Sequence, residues 1–307
     1  MIVTCTLNPS LDCYMESSRK LERGEENRSE LEYYEAGGKG INVSIVLNNL
    51  EVPTKACGFL GGFTKDFYIT LLEKYSFIQP NFTYIAGHTR INMKFHDADV
   101  DTQFNAAGPY ITHEDMEKLM MKTNRLDEGD YFVLAGNCPE HLYDDTAIML
   151  ERLVNDGVRV CLNTDTALVK RVLPFHPYIV KTTVPLLEGY LGHAADSEHI
   201  VKDLEEMKAL GPENVICTSK DGKEAFLACD EGIFLCDIVH QDKAVSMIGT
   251  GDALVAGFIM NSMRTPHAVE SFRFGCCCSE ATAFSKGFGT RDAINELYER
   301  VEVTKIG

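Results

Sequence analysis

SMIGTGDALVAGFIM, residues 246–260, places Gly249, Thr250 and Gly251 directly ahead of an apolar run of helical period. Backbone N–H groups converge at such a helix start and favour negative charge brought to them. Asp252 stands in the first turn. Taken alone, a glycine turn followed by Asp is often only a good helix cap. The spacing excludes two commoner nucleotide motifs, because the chain has neither GxGxxG behind a strand nor GxxxxGK[ST]. Around this stretch, short apolar runs bounded by turn residues alternate with segments of helical period. That rhythm predicts an α/β protein with a mostly parallel sheet.

Strands are expected near 2–7, 54–59, 131–135, 158–162, 178–180 and 215–217. Helices are expected near 41–50, 66–75, 113–123, 143–155 and 197–210. A hairpin is expected at 225–227 and 233–236, with three helices from Thr250 onward. Residues 11–36 and 82–105 break the rhythm and read as short strands between turns, a small β appendage on one α/β core. No repeat, low-complexity stretch or Pro-rich linker divides the chain.

Three more motifs carry chemistry. In AGGKGINVS, residues 36–44, Gly37, Gly38 and Gly40 permit close backbone approach or positive φ, with Lys39 and Asn42 beside them. That combination fits a phosphorylated or hydroxyl-rich ligand, and a flexible turn before a helix reads the same way. In TRINMK, residues 89–94, alternation puts Arg90, Asn92 and Lys94 on one strand face and Ile91 and Met93 on the other. The polar face is either an anion-binding surface or the solvated charges of an edge strand. TLNPSLD ends in Asp12 just after the first strand, at the end where α/β proteins bind ligands or where an ordinary turn Asp would sit.

The 307 residues carry a net charge of −17, which argues against nucleic acid or an anionic membrane as partner. With 45% hydrophobic and 24% charged residues the composition is that of a globular protein. A chain this long buries about three-quarters of its unfolded surface without disulfides or a structural metal. The eleven cysteines form no CxxC pair, and the run 276–278 would point three ways from a helix. They read as small buried hydrophobes in a reducing compartment. No apolar run approaches 18 residues and no leader pattern opens the chain, so a cytoplasmic location is expected.

Together the motifs resemble the phosphofructokinase B family of ribokinase-like carbohydrate kinases, most closely its 1-phosphofructokinase and tagatose-6-phosphate kinase branch. The likeness runs through TLNPSLD, Asn27-Arg28, AGGKGINVS, TRINMK, FNAAGPYIT (104–112), LAGNCP (134–139), IGTGDALVAGF (248–258) and ATAFSKGFGT (281–290). It implies a single unit, residues 1–307, with a three-layer α/β/α core and a β-sheet lid from about 11–36 and 82–105. The lid would pair with that of a second subunit in a homodimer. The resemblance also implies ATP and Mg²⁺ acting on a sugar phosphate.

Asp252 would be the general base, and the amides of Gly249, Thr250 and Gly251 would hold the transferring phosphoryl group. Asp12, with Gly38 and Asn42, would hold sugar hydroxyls, while Arg28, Lys39, Arg90 and Asn92 would hold the sugar's phosphate. Gly37 and Asn137 complete the implied substrate set. Lys181, Thr218, Ser219 and Gly222 would lie with Gly249 and Gly251 on the nucleotide side. No metal ligand is identified.

The chain departs from the family on that nucleotide side. Where the family carries KPNxxEL, residues 181–187 read KTTVPLL, so Thr183 and Leu186 replace the Asn and Glu that help to organise Mg²⁺. Ser219 precedes the turn in place of Gly, and LNTDTAL, residues 162–168, stands near the family's Asp-Thr-Ser-Gly in either of two registers. Three readings follow: a kinase of fructose 1-phosphate or tagatose 6-phosphate; a sugar-phosphate-binding relative with an altered Mg·ATP site and weakened catalysis; or a kinase of an unphosphorylated sugar or nucleoside, for which Arg28, Lys39 and Arg90 would have no obvious partner.

Overall fold

The computed structural model describes residues 1–98, 100–196, 199–237 and 244–307. Its strands are β1 (Ile2–Thr6), β2 (Ser10–Glu16), β3 (Leu31–Gly37), β4 (Thr54–Gly61), β5 (Ile78–Pro80), β6 (Thr83–Ile85), β7 (Arg90–His96), β8 (Asp101–Phe104), β9 (Tyr131–Ala135), β10 (Arg159–Asn163), β11 (Ile179–Thr183), β12 (Asn214–Thr218), β13 (Glu224–Cys229), β14 (Gly232–Asp237) and β15 (Thr304–Lys305). The helices are α1 (Lys39–Asn49), α2 (Thr64–Leu72), α3 (His113–Thr123), α4 (Tyr143–Asn155), α5 (Thr166–Val172), α6 (Val184–Leu191), α7 (Ile200–Ala209), α8 (Thr250–Ser262), α9 (Ala268–Ala283) and α10 (Arg291–Tyr298).

The large sheet runs β15-β14-β13-β12-β11-β10-β9-β1-β4-β5, with β6 also pairing with β4. From β12 through β5 every pairing is parallel, and the β13–β15 end is antiparallel. Parallel strands covered on both faces read as continuous apolar runs, and YFVLA in β9 is buried throughout. Alternation then divides the side chains. Phe132 and Leu134 enter one core with α3–α7, whereas Tyr131, Val133 and Ala135 enter the other with α1 and α8–α10. This is the ribokinase-like, mostly parallel three-layer architecture that the motifs imply.

Local chemistry accounts for the sharper boundaries. The helix α3 starts at the expected residue because Thr112 and Asp115 form a reciprocal capping box: Thr112 Oγ1 accepts from the Asp115 N–H at 3.2 Å, and Asp115 Oδ2 from the Thr112 N–H at 3.1 Å. Helices α8 and α9 are buried almost all round, and they approach so closely that a Cβ on Gly257 would lie 2.8 Å from the Gly275 Cα. Cys276, Cys277 and Cys278 fill this packed layer, and all eleven cysteines are buried free thiols.

The structure differs from expectation in places. Helix α1 begins at Lys39, two residues early, so Lys39 is a helix-start residue and not part of a preceding turn. The expected helix start Ser197 lies outside the described residues, and α7 begins at Ile200. Helices α5 and α6 have only seven and eight residues, too short to show a period. The expected appendage is a separate four-stranded sheet, β3-β2-β7-β8. The segment β6, inside 82–105, instead joins the large sheet in register with β4, Phe59 opposite Thr83; residue 99 of that stretch lies outside the described residues.

Candidate active site

The parallel strands β1, β9, β10, β11 and β12 end along one edge of the large sheet, where α/β folds bind ligands. Helix α8 starts there. Gly249 caps it at φ +80°, and a Cβ on Gly249 would lie 2.5 Å from the Phe288 ring, so only glycine suits the position. The first-turn N–H groups have no intrahelical acceptor and face outward from the helix start.

Asp252 is only 5% exposed. Its Oδ2 accepts from Asn42 Nδ2 and its Oδ1 from Asn163 Nδ2, each at 2.8 Å. Burial pushes its pKa up to about 6, while the two amides and the charges of Lys39 and Lys181 pull the other way. Lys181 packs over Gly251, where an added Cβ would meet its Nζ at 3.2 Å, and Nζ donates to Thr218 Oγ1 at 3.2 Å. Desolvation holds this lysine below its ordinary pKa.

A second cluster is organised by Asp12 on β2. Its Oδ1 accepts from Ser10 Oγ at 2.7 Å and Asn92 Nδ2 at 3.0 Å, and Oδ2 lies 2.6 Å from Lys94 Nζ. Lys94 also donates to Tyr14 Oη at 2.9 Å and sits 4.7 Å from the ring centre. Burial alone would lower the Lys94 pKa, but Asp12 and Tyr14 carry it above its ordinary value. The parallel register of β2 with β7 produces the arrangement, setting Ser10, Asp12 and Tyr14 opposite Arg90, Asn92 and Lys94. The polar face of TRINMK is therefore the sheltered face of an interior strand. Ile91, on the other face, is 37% exposed.

Glycines join the two clusters. A Cβ on Gly37 would meet the Asp12 carboxylate at 2.6 Å, one on Gly38 (φ +134°) would meet Thr6 Cγ2 at 2.7 Å, and one on Gly40 the Cys5 carbonyl oxygen at 2.8 Å. The chain thus passes tightly from β3 across the end of β1 into α1, which sets exposed Lys39 at the rim.

Several expected residues take different places. Arg28 is exposed in the loop between β2 and β3, where it pairs with Glu26. That loop begins at Glu16, about 13 Å along the strand from Asp12, so Arg28 is not brought to the cluster within this chain. Asn42 serves Asp252 and not the Asp12 group. Asn92 is occupied by Asp12 and by the Ala106 N–H at 3.1 Å, and the Arg90 guanidinium donates to the Asn8 and Ala106 carbonyls. Both side chains are thus held by protein partners. Asn137 is exposed beyond β9. Ser219 Oγ closes the turn after β12, donating to Asp221 and accepting from the Glu224 N–H, and Gly222 (φ +71°) shapes the same turn.

At the end of β11, Thr183 stands at the N-cap position of α6 without a side-chain hydrogen bond to it, Leu186 is 48% exposed and Glu188 faces outward. Among the described residues no group of three or more His, Cys, Asp or Glu could hold a metal. Sequence reasoning missed Asn163 and Ser10. For Asn163 the available signal was a polar residue closing the apolar run VCL, and for Ser10 its spacing of two from Asp12.

The profile of the pfkB family carbohydrate kinases matches residues 7–294. The chain is 35% identical to a 1-phosphofructokinase of Bacillus subtilis (strain 168), over 100% of both chains. It is 27% identical to a D-tagatose-1-phosphate kinase of Bacillus licheniformis, again over 100% of both. A crystal structure of a putative phosphofructokinase from Staphylococcus aureus superposes with a TM-score of 0.86 at 31% identity, covering 99% of this chain and 98% of that one.

Proposed function

The chain belongs to the pfkB family of carbohydrate kinases, and from that premise we propose that it transfers the γ-phosphoryl group of Mg·ATP to a hydroxyl of a ketohexose monophosphate, giving the bisphosphate. Fructose 1-phosphate is the first candidate, with tagatose 6-phosphate and tagatose 1-phosphate next. The observation that carries this reading is Asp252, a buried carboxylate at the start of α8 beside free helix N–H groups and two lysines.

Asp252 takes the proton of the acceptor hydroxyl as its oxygen attacks the γ-phosphorus. The amides of Gly249, Thr250 and Gly251 receive the charge on the transferring group, and Lys181 stands behind them. Thr250 costs nothing in this role, since its own hydroxyl donates to the Met247 carbonyl and the backbone does the binding. Asp12, fixed by Ser10, Asn92 and Lys94, accepts from sugar hydroxyls. Lys39, exposed at the start of α1, faces the sugar's phosphate, and Mg²⁺ when bound would supply positive charge against the nucleotide phosphates.

ADP release measured with the three ketohexose phosphates and with unphosphorylated fructose, with and without Mg²⁺, tests the reading. Turnover is expected only with a phosphorylated sugar and Mg²⁺. Turnover with fructose alone, or none with any of the three, sinks it.

We also propose a homodimer through the small sheet. The face of this sheet turned away from Asp12 carries Ile91 and Phe104, 37% and 60% exposed, with Phe95 edge-on to Phe104. Exposed apolar sheet faces of this kind mark contact surfaces. Light scattering should show a dimer for the parent protein and a monomer for the double variant Ile91→Glu, Phe104→Glu; a parent monomer removes the proposal.

A further inference from the structure

Three elements converge on Asp252: its own helix α8, Asn42 from α1 and Asn163 from the end of β10. Asn163 is 9% exposed, and its strand lies between β9 and β11. Its carbonyl accepts from the Gly136 N–H at 3.0 Å, so its backbone has little freedom. The next acid along the chain, Asp165, turns elsewhere and accepts from the Cys138 N–H at 2.6 Å. Asn163 is therefore the residue of LNTDTAL that reaches the base.

We infer that Asn163 is a positioning residue which, with Asn42, clamps the Asp252 carboxylate in one plane and keeps it a single acid and not half of an acid pair. This rests on the reading of Asp252 as the base. An ionised carboxylate only accepts hydrogen bonds, so both amides must turn their NH₂ groups to it. One donor meets each oxygen. Each oxygen keeps a lone pair, while rotation of the carboxylate about its bond to Cβ is opposed from both sides. A carboxylic acid at position 163 would change the chemistry, because two carboxylates within hydrogen-bond distance hold one proton between them and titrate as a pair.

The charged groups facing Asp252 from neighbouring elements are Lys39 at the start of α1 and Lys181 on β11. Both favour its ionised form, and both remain in the variants below. An amide at 163 assists them without adding a second titration.

The test is the pH dependence of kcat for the parent, Asn163→Ala and the isosteric Asn163→Asp, with Asp252→Ala alongside. In Asn163→Ala the acid limb should move up by about one unit, so that turnover below the limb falls about tenfold while KM for both substrates stays within about threefold. In Asn163→Asp the limb should move further or split into two steps, with recovery toward high pH. The isosteric variant keeps the inference falsifiable if the alanine variant does not fold. Unmoved limbs, with Asp252→Ala inactive, overturn the clamp and leave the base standing. A changed KM without a moved limb also overturns it and makes Asn163 a ligand contact. Asp252→Ala with parental turnover overturns the base reading itself.

Discussion

Asp252→Ala should lower kcat by about 10²- to 10⁴-fold while KM for the sugar phosphate changes little, the pattern of a lost general base. The parent enzyme's own pH profile provides the control. With the carboxyl near 6, turnover should rise as Asp252 ionises through about pH 6 and level off above about pH 7. The residual rate of the alanine variant should lose that limb. Steady-state kinetics between pH 5 and 9 read both outcomes, and a variant that keeps the limb would assign the titration to another group.

Gly58→Ala should cost about 3 kcal/mol or more of stability. Gly58 lies in β4 opposite Thr6 of β1 with φ +137°, and a Cβ there would overlap the Thr6 carbonyl oxygen. Relief requires β1 and β4 to part, and Thr6 is the residue on which Gly38 and Gly40 rest. Gly24→Ala is the matched comparison, since Gly24 also has positive φ (+87°) but has no atom within 4 Å of its would-be Cβ. Its cost should be only the left-handed backbone penalty of about 1 to 2 kcal/mol. Urea midpoints of the two variants separate the contributions, and equal midpoints would show that the clash relaxes at no cost.

Features that depend on one segment were legible in the sequence. The strand at 131–135 and the helix starting at 113 were each read from their own segment, and the structure has both at those residues. The helix start at 249–252 and the glycines at 37–40 were likewise visible as local patterns, because a close approach of backbone to a neighbour leaves glycine as its trace. Less was legible where a side chain's partner lies far along the chain. Arg90 and Asn92 read as ligand groups, yet their hydrogen bonds go to Asn8, Asp12 and Ala106. The partners of Asn42 and Asn163 are 210 and 89 residues distant, so neither pairing leaves a local period. The segment β6 looked like part of the small sheet because three residues cannot declare which sheet they join.

The burial of Asp252 also has a thermodynamic side. Its carboxyl titrates near 6 in the fold against 3.8 for a free side chain, so the folded chain binds that proton more tightly than the unfolded one. The stability linked to this group is fully present below about pH 3.8 and is lost as pH rises through 6. At pH 7 the ionised form is the less favourable one by about 3 kcal/mol, counted from the two pKa values. The protonation state that the proposed base needs is thus the one the fold holds least willingly, and selection for heat resistance alone would tend to remove the acid at 252.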